Sequence, residues 1–146
     1  MSVVEHEYEA GLSVSTANVA EYFKRAYELA KMSINMQASD DTLDNILFLG
    51  ADAAVRIGIR PKELIDTMLK KGFSTAHHIE GSYLYDVARD FKAAAKEVEL
   101  ALRSKNFRLR NVRLLARIYL RDGRSDKALD ALELLQESCL NRDTAE

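Results

Sequence analysis

The chain has one cysteine, one proline, no tryptophan and six glycines in 146 residues. With Cys139 alone, neither an intrachain disulfide nor a cysteine-ligated metal site can form. That scarcity fits a reducing compartment. Proline is confined to Pro61 and glycine is sparse, which favours long helices over a turn-rich β fold. No uncharged apolar run reaches the length of about 18 residues that a membrane span needs, so no membrane partner is expected. Residues 1–14 carry Glu5, Glu7 and Glu9 and lack the basic and apolar regions of a secretory signal, so the expected location is cytoplasmic.

Catalytic and ligand-binding signatures are also missing. There is no His-Glu-x-x-His, no Gly-rich phosphate loop and no Gly-x-Ser-x-Gly. His77 and His78 are adjacent, so on a helix they diverge by about 100° and do not share a metal. They read as a surface pair at a helix start. Asp40, Asp41 and Asp44 read as a helix N-terminus, which favours negative charge, rather than as a calcium loop. Cys139 reads as a small hydrophobe beside Leu132 and Leu135. The expectation is a non-enzyme without cofactor or metal.

What is present is helical patterning. Apolar residues make up 47% and charged residues 30%, as in ordinary globular chains, and the length suits one domain. That domain is placed at 15–140, between an acidic flexible tail at 1–14 and a frayed end at 141–146. Apolar spacing predicts helices over 16–36, 42–57, 61–71, 75–89, 91–104, 108–122 and 126–140. Ser15 or Thr16, Asp40 or Asp41, Ser74 or Thr75, Asp90 and Ser125 are the candidate helix starts, with Pro61 at a first helical position. Gly58, Gly72 and Gly123 are the left-handed stops. Gly50, in mid-helix, reads as a site of close helix packing.

The chain also repeats itself. Shifted by 34 residues, Gly81 falls on Leu115, Ser82 on Ala116 and Tyr85 on Tyr119. Ala94 falls on Ala128, Val98 on Leu132 and Ala101 on Leu135. Small residues sit where two helices of a hairpin approach, and an aromatic three positions later lies on the same face. On these residues the sequence resembles the tetratricopeptide repeat (TPR) family. The likeness is good over 109–140, fair over 75–105, where Arg89 stands in the place of the turn glycine, and loose over 41–71. It implies an all-α fold of two to three stacked antiparallel helix hairpins with an extra N-terminal helix. Small proteins of this kind include bacterial secretion chaperones and assembly adaptors.

The charge is uneven. Residues 103–124 hold eight basic side chains against Asp122, a local net of +7, so the remainder of the chain carries −9 within a total of −2. Arg110, Arg113, Arg117 and Arg121 follow one another at three, four and four, and line one helix face. The resemblance implies that this face looks into a concave groove, with Ile79, Tyr83 and Val87 at equivalent positions of the preceding hairpin. Such a groove would take an acidic or helical client peptide, because guanidinium binds carboxylate in a planar fork. Two other functions fit the same residues. A nucleic-acid-binding regulator would use the arginines on phosphate, although the net charge and the core positions of the tyrosines oppose it. A structural subunit would form a homodimer through the apolar helix 16–36, with Tyr22, Phe23, Tyr27, Met32, Ile34 and Met36. Glu97, Glu99, Glu133 and Glu137 are the acids placed to neutralise the arginines within the chain.

Overall fold

A computed structural model describes the backbone of residues 12–104 and 108–144, and the side chains of 18–104 and 108–137. Among the described residues the chain is all-α. Its helices are α1 (Leu12–Met32), α2 (Asp40–Arg56), α3 (Lys62–Lys70), α4 (Thr75–Asp86), α5 (Phe91–Ala101), α6 (Arg108–Arg121) and α7 (Ser125–Thr144). α1 begins and ends about a turn earlier than its apolar pattern suggests, because Ser33, Ile34 and Asn35 close a turn after Met32. α2 is capped by Ser39, whose Oγ accepts the Thr42 N–H, and not by the aspartates. Asp90 caps α5 through the Ala93 N–H.

Helix ends follow the glycines. Gly58, Gly72 and Gly123 have φ of +81°, +76° and +74°. In each case the following N–H reaches back five residues: Ile59 to Ala54, Phe73 to Met68 and Arg124 to Tyr119. This is the Schellman closure, which satisfies carbonyls the helix end leaves open. Arg89, 34 positions before Gly123, holds φ of +59° without being glycine.

Three antiparallel hairpins, α1–α2, α4–α5 and α6–α7, carry most of the packing. Close approach explains their small residues. A methyl group on Gly50 would collide with the side chain of Ala30 on α1, and one on Gly81 would collide with Val98 on α5. The loosely matching segment 41–71 is therefore not a hairpin like the others. The small face of α2 serves α1, and α3 touches α2 only lightly. α3 instead supplies Leu64, Ile65 and Met68 to a first core shared by α1, α2 and α4. A second core joins α5, α6 and α7 around Val98, Val112, Ile118 and Tyr119. α4 belongs to both, through Ala76 and Ile79 on one side and Leu84 and Tyr85 on the other.

α2, α4 and α6 run parallel, although α2 is the second helix of its hairpin and α4 and α6 are the first of theirs. On α2 and α4, Asp44 meets Thr75 and Phe48 meets His78. On α4 and α6, His78 meets Asn111. The sequence steps, 31 at Asp44–Thr75 and 33 at His78–Asn111, stay near one repeat length. α4–α5 and α6–α7 therefore repeat one direction, whereas the α1–α2 hairpin enters in the opposite order, with its second helix beside α4.

Arg89 tests the turn logic. A non-glycine residue in the left-handed region is strained by roughly 1 kcal/mol, and the only described compensation is its guanidinium 5.2 Å from the Phe91 ring. Arg89→Gly is expected to raise unfolding free energy by up to about 1 kcal/mol. Gly123→Ala, in open space but at positive φ, is expected to lower it by a similar amount, about 1 kcal/mol. Urea unfolding of both variants measures the opposite signs.

A candidate protein-binding cleft

Because α2, α4 and α6 run parallel, their exposed edges share one concave side. A cleft of about 410 Å³ opens there. α2 contributes Phe48, Leu49, Asp52 and Arg56; α4 contributes His78, Ser82, Tyr85 and Asp86; α6 contributes Arg110, Arg113, Leu114 and Arg117. A second hollow of about 590 Å³ adjoins it, sharing Arg56 and Asp86 and bounded by Phe23, Val55, Gly58 and Val87.

The arginines divide into distinct environments. Arg110 lies with its guanidinium 5.4 Å from the Phe48 ring, stacked against the cleft wall. Arg113 and Arg117 are exposed, line the cleft and form no ion pair among the described residues. Arg121 is exposed on the same helix but lies outside the cleft lining. Arg124 folds over the Tyr119 ring at 4.9 Å; its Nε is 2.9 Å from Asp122, yet misaligned for a hydrogen bond.

The acids expected to neutralise this face do not do so. Glu97 stands 2.9 Å from His77 Nδ1, and Glu99 accepts from the Tyr119 hydroxyl. Glu133 and Glu137 make no ion pair among the described residues. Within the cleft Asp52 is held by Arg56 at 3.1 Å, which leaves Asp86 as the acid facing Arg113 and Arg117 across it. The cleft is therefore positive at its α6 side and balanced at its α2 side. Its walls also offer apolar surface from Phe48, Leu49, Tyr85 and Leu114.

Ile79, Tyr83 and Val87 do not line this cleft as expected. Ile79 is fully buried in the first core, with Tyr83 and Val87 packed against it; Val87 reaches only the adjoining hollow. The reason is crowding. α2 packs closely on α4, whereas α6 touches α4 sparingly, so this arc of α4 is sealed while the arginine arc of α6 stays open. The cleft residues of α4 are instead His78, Ser82, Tyr85 and Asp86. In the sequence His78 read as a surface histidine and Ser82 and Tyr85 as repeat packing positions, none of them as a cleft residue.

His78 was expected at the surface and is 7% exposed. Its Nδ1 lies 2.5 Å from Asn111 Oδ1, and its ring centroid is 5.8 Å from that of Phe48. Burial first, and then the Arg110 charge, push its pKa below the ordinary histidine value, against the Asn111 hydrogen bond and Asp52. The neutral ring donates from Nδ1 to Asn111. Tyr119 is likewise committed: burial, with the hydrogen bond to Glu99 next, pushes its pKa up to about 12. Its hydroxyl joins α6 to α5 and is not offered to a base or a client.

No group of three or more His, Cys, Asp or Glu side chains able to hold a metal exists among the described residues. No helix there is long and apolar enough to cross a membrane. The side chain of Cys139 lies outside the described residues. Leu132, its expected apolar neighbour, is 46% exposed.

A depressed histidine pKa means that the folded state binds the proton less readily than the unfolded chain does. Stability from His78 is thus complete above the unfolded value, about 6.5, and is lost as pH falls through the lower folded value. Thermal melts between pH 8 and about 5 are expected to decline on the acid side, and His78→Gln to flatten that decline. Asn111→Ala, which strips the buried ring of its partner, is expected to cost about 1–3 kcal/mol at neutral pH.

No family model, curated protein or solved structure matches this chain, so the geometry of the cleft carries the argument for function.

Proposed function

We propose that this chain is a non-enzymatic, cytoplasmic protein-interaction module that holds an acid-bearing peptide or helix of a client protein in the cleft between α2, α4 and α6. The observation that carries this reading is the pair Arg113 and Arg117, exposed and without an ion pair in a concave site lined by three parallel helices. An unpaired arginine beside apolar walls is poised to bind a carboxylate in a partly desolvated setting, where such contacts are stronger than on an open surface. The cleft volume falls within the usual range for binding sites, roughly 300–1,000 Å³. Phe48, Leu49, Tyr85 and Leu114 provide the apolar contact that a helix or extended segment would bury.

The likeness to TPR hairpins supports the same function. The α4–α5 and α6–α7 hairpins, repeated in one direction, and the left-handed turns at Arg89 and Gly123 suit it. A role as adaptor or chaperone follows from that likeness by analogy of fold. An enzymatic role finds no support in the cleft, whose one imidazole is buried and spends its Nδ1 on Asn111.

The test compares wild type with Arg113→Glu/Arg117→Glu in capture from native lysate. Both side chains are exposed and without an ion pair, so the unfolding free energy is expected to stay within the few tenths of a kcal/mol typical of surface changes. The double variant is expected to lose a partner that the wild type captures. Retention of the same partner by the variant would place binding elsewhere.

A further inference from the structure

We propose that the arginine cleft also receives α7 of a second copy of this chain, bound through that helix's acidic face. The proposal rests on the reading of the cleft as a dock for an acid-bearing helix, and it names the helix.

α7 carries Asp126, Asp130, Glu133 and Glu137 at spacings of four, three and four, all exposed and none in an ion pair among the described residues. This stripe lies on the side of α7 opposite its buried Ala128 and Ala131. It turns away from the arginines of its own chain, because α6 and α7 pack through Leu115, Tyr119, Ala128 and Ala131. Two complementary stripes therefore point outwards from adjacent helices of one molecule.

The stripes match in length and register. Each spans eleven residue steps, about 16 Å of helix. Laid antiparallel, Arg110 faces Glu137, Arg113 faces Glu133, Arg117 faces Asp130 and Arg121 faces Asp126. Beside the arginines lies exposed Leu120, and beside the acids lies exposed Leu129, each roughly 65–70° back around its helix from the stripe. Antiparallel docking brings these leucines to the same side, so an apolar contact flanks the charged one. Docking α7 against α7, in contrast, would oppose acids to acids.

The resulting contact is heterologous, since different surfaces of the two copies meet, and it closes into a ring or continues as a stack. α7 already runs antiparallel to α6 within its own chain. A docked α7 therefore keeps the direction of the host's own α7.

Sedimentation at about 20 mM and about 0.5 M salt tests this, because screening weakens exposed charge pairs. Wild type is expected to exceed its monomer mass of 16.5 kDa at low salt and to return to it at high salt. Arg113→Glu/Arg117→Glu alone and Asp130→Lys/Glu133→Lys alone are expected to be monomeric. Mixed in equal amounts they are expected to associate at least tenfold more tightly than either alone. The same charge change on α3, Glu63→Lys/Asp66→Lys, leaves the cleft and α7 intact and is expected to associate as wild type does. Circular dichroism checks that every variant keeps its helicity.

Three results overturn the proposal: a wild type monomeric at low salt, a mixture that stays monomeric, or an α3 variant that keeps its helicity yet stays monomeric. Association that survives both charge reversals overturns it too and points to the exposed Tyr22, Leu29 and Met32 of α1. If wild type is monomeric but the arginine variant still loses its lysate partner, the cleft remains a dock and only self-docking falls.

Discussion

A single imidazole ties the three helices of the cleft together. His78 stacks near Phe48 of α2, bonds Asn111 of α6 and is itself part of α4. Its place in the middle holds α2, α4 and α6 at their separation, and so sets the width of the cleft. The arrangement works only with a neutral ring, since burial and Arg110 both oppose a second proton. The cleft is in this way coupled to a buried polar contact at its floor, where an unpaired group is costly. Thr75, whose hydroxyl donates to Asp44 at 2.6 Å, makes a second polar link between α2 and α4 one turn earlier.

Against that frame, the charge of α6 is a surplus left by other commitments. Three acids of α4 and α5 are used to fasten elements: Glu97 to His77 between α5 and α4, Glu99 to Tyr119 between α5 and α6, and Glu80 to Arg60 between α4 and the loop before α3. Each of these joins neighbouring elements, and none reaches Arg113 or Arg117. Exposed ion pairs contribute little to stability, about 0–1 kcal/mol each, so leaving two arginines unpaired costs the fold almost nothing.

Helix existence and order were legible in the sequence because the punctuation is local. Gly58, Gly72 and Gly123 stop helices through backbone geometry that only neighbouring atoms decide, and Asp90 caps α5 by reaching three residues along. Gly50 was also legible as a packing site, though not that α1 would be its partner. What was not legible depended on which helix crowds which. Ile79, Tyr83 and Val87 sit on the arc of α4 that α2 and α3 cover, while the matching arc of α6 is left open. Periodicity gives the arc and cannot give its neighbour. His78 was missed for a related reason: adjacent to His77 in sequence, it points to a different side, and only the Asn111 amide on α6 makes its burial tolerable.

The two ends of the stack explain why the repeat is not uniform. On α5, Ala95 and Val98 are buried because α6 lies across them. Their counterparts 34 positions later, Leu129 and Leu132 on α7, are exposed, 57% and 46% respectively, because no described helix follows to cover them. A terminal repeat usually carries a polar outer face for solubility. α7 meets that requirement only in part, with an acidic stripe beside a leucine flank. α1 at the other end leaves Tyr22, Leu29 and Met32 outward, opposite its buried Tyr27 and Ala30. A stack whose ends are only half capped keeps apolar surface in contact with water at a cost of about 25 cal/mol per Å². Covering such an end with another helix recovers that cost without altering the hairpins beneath it.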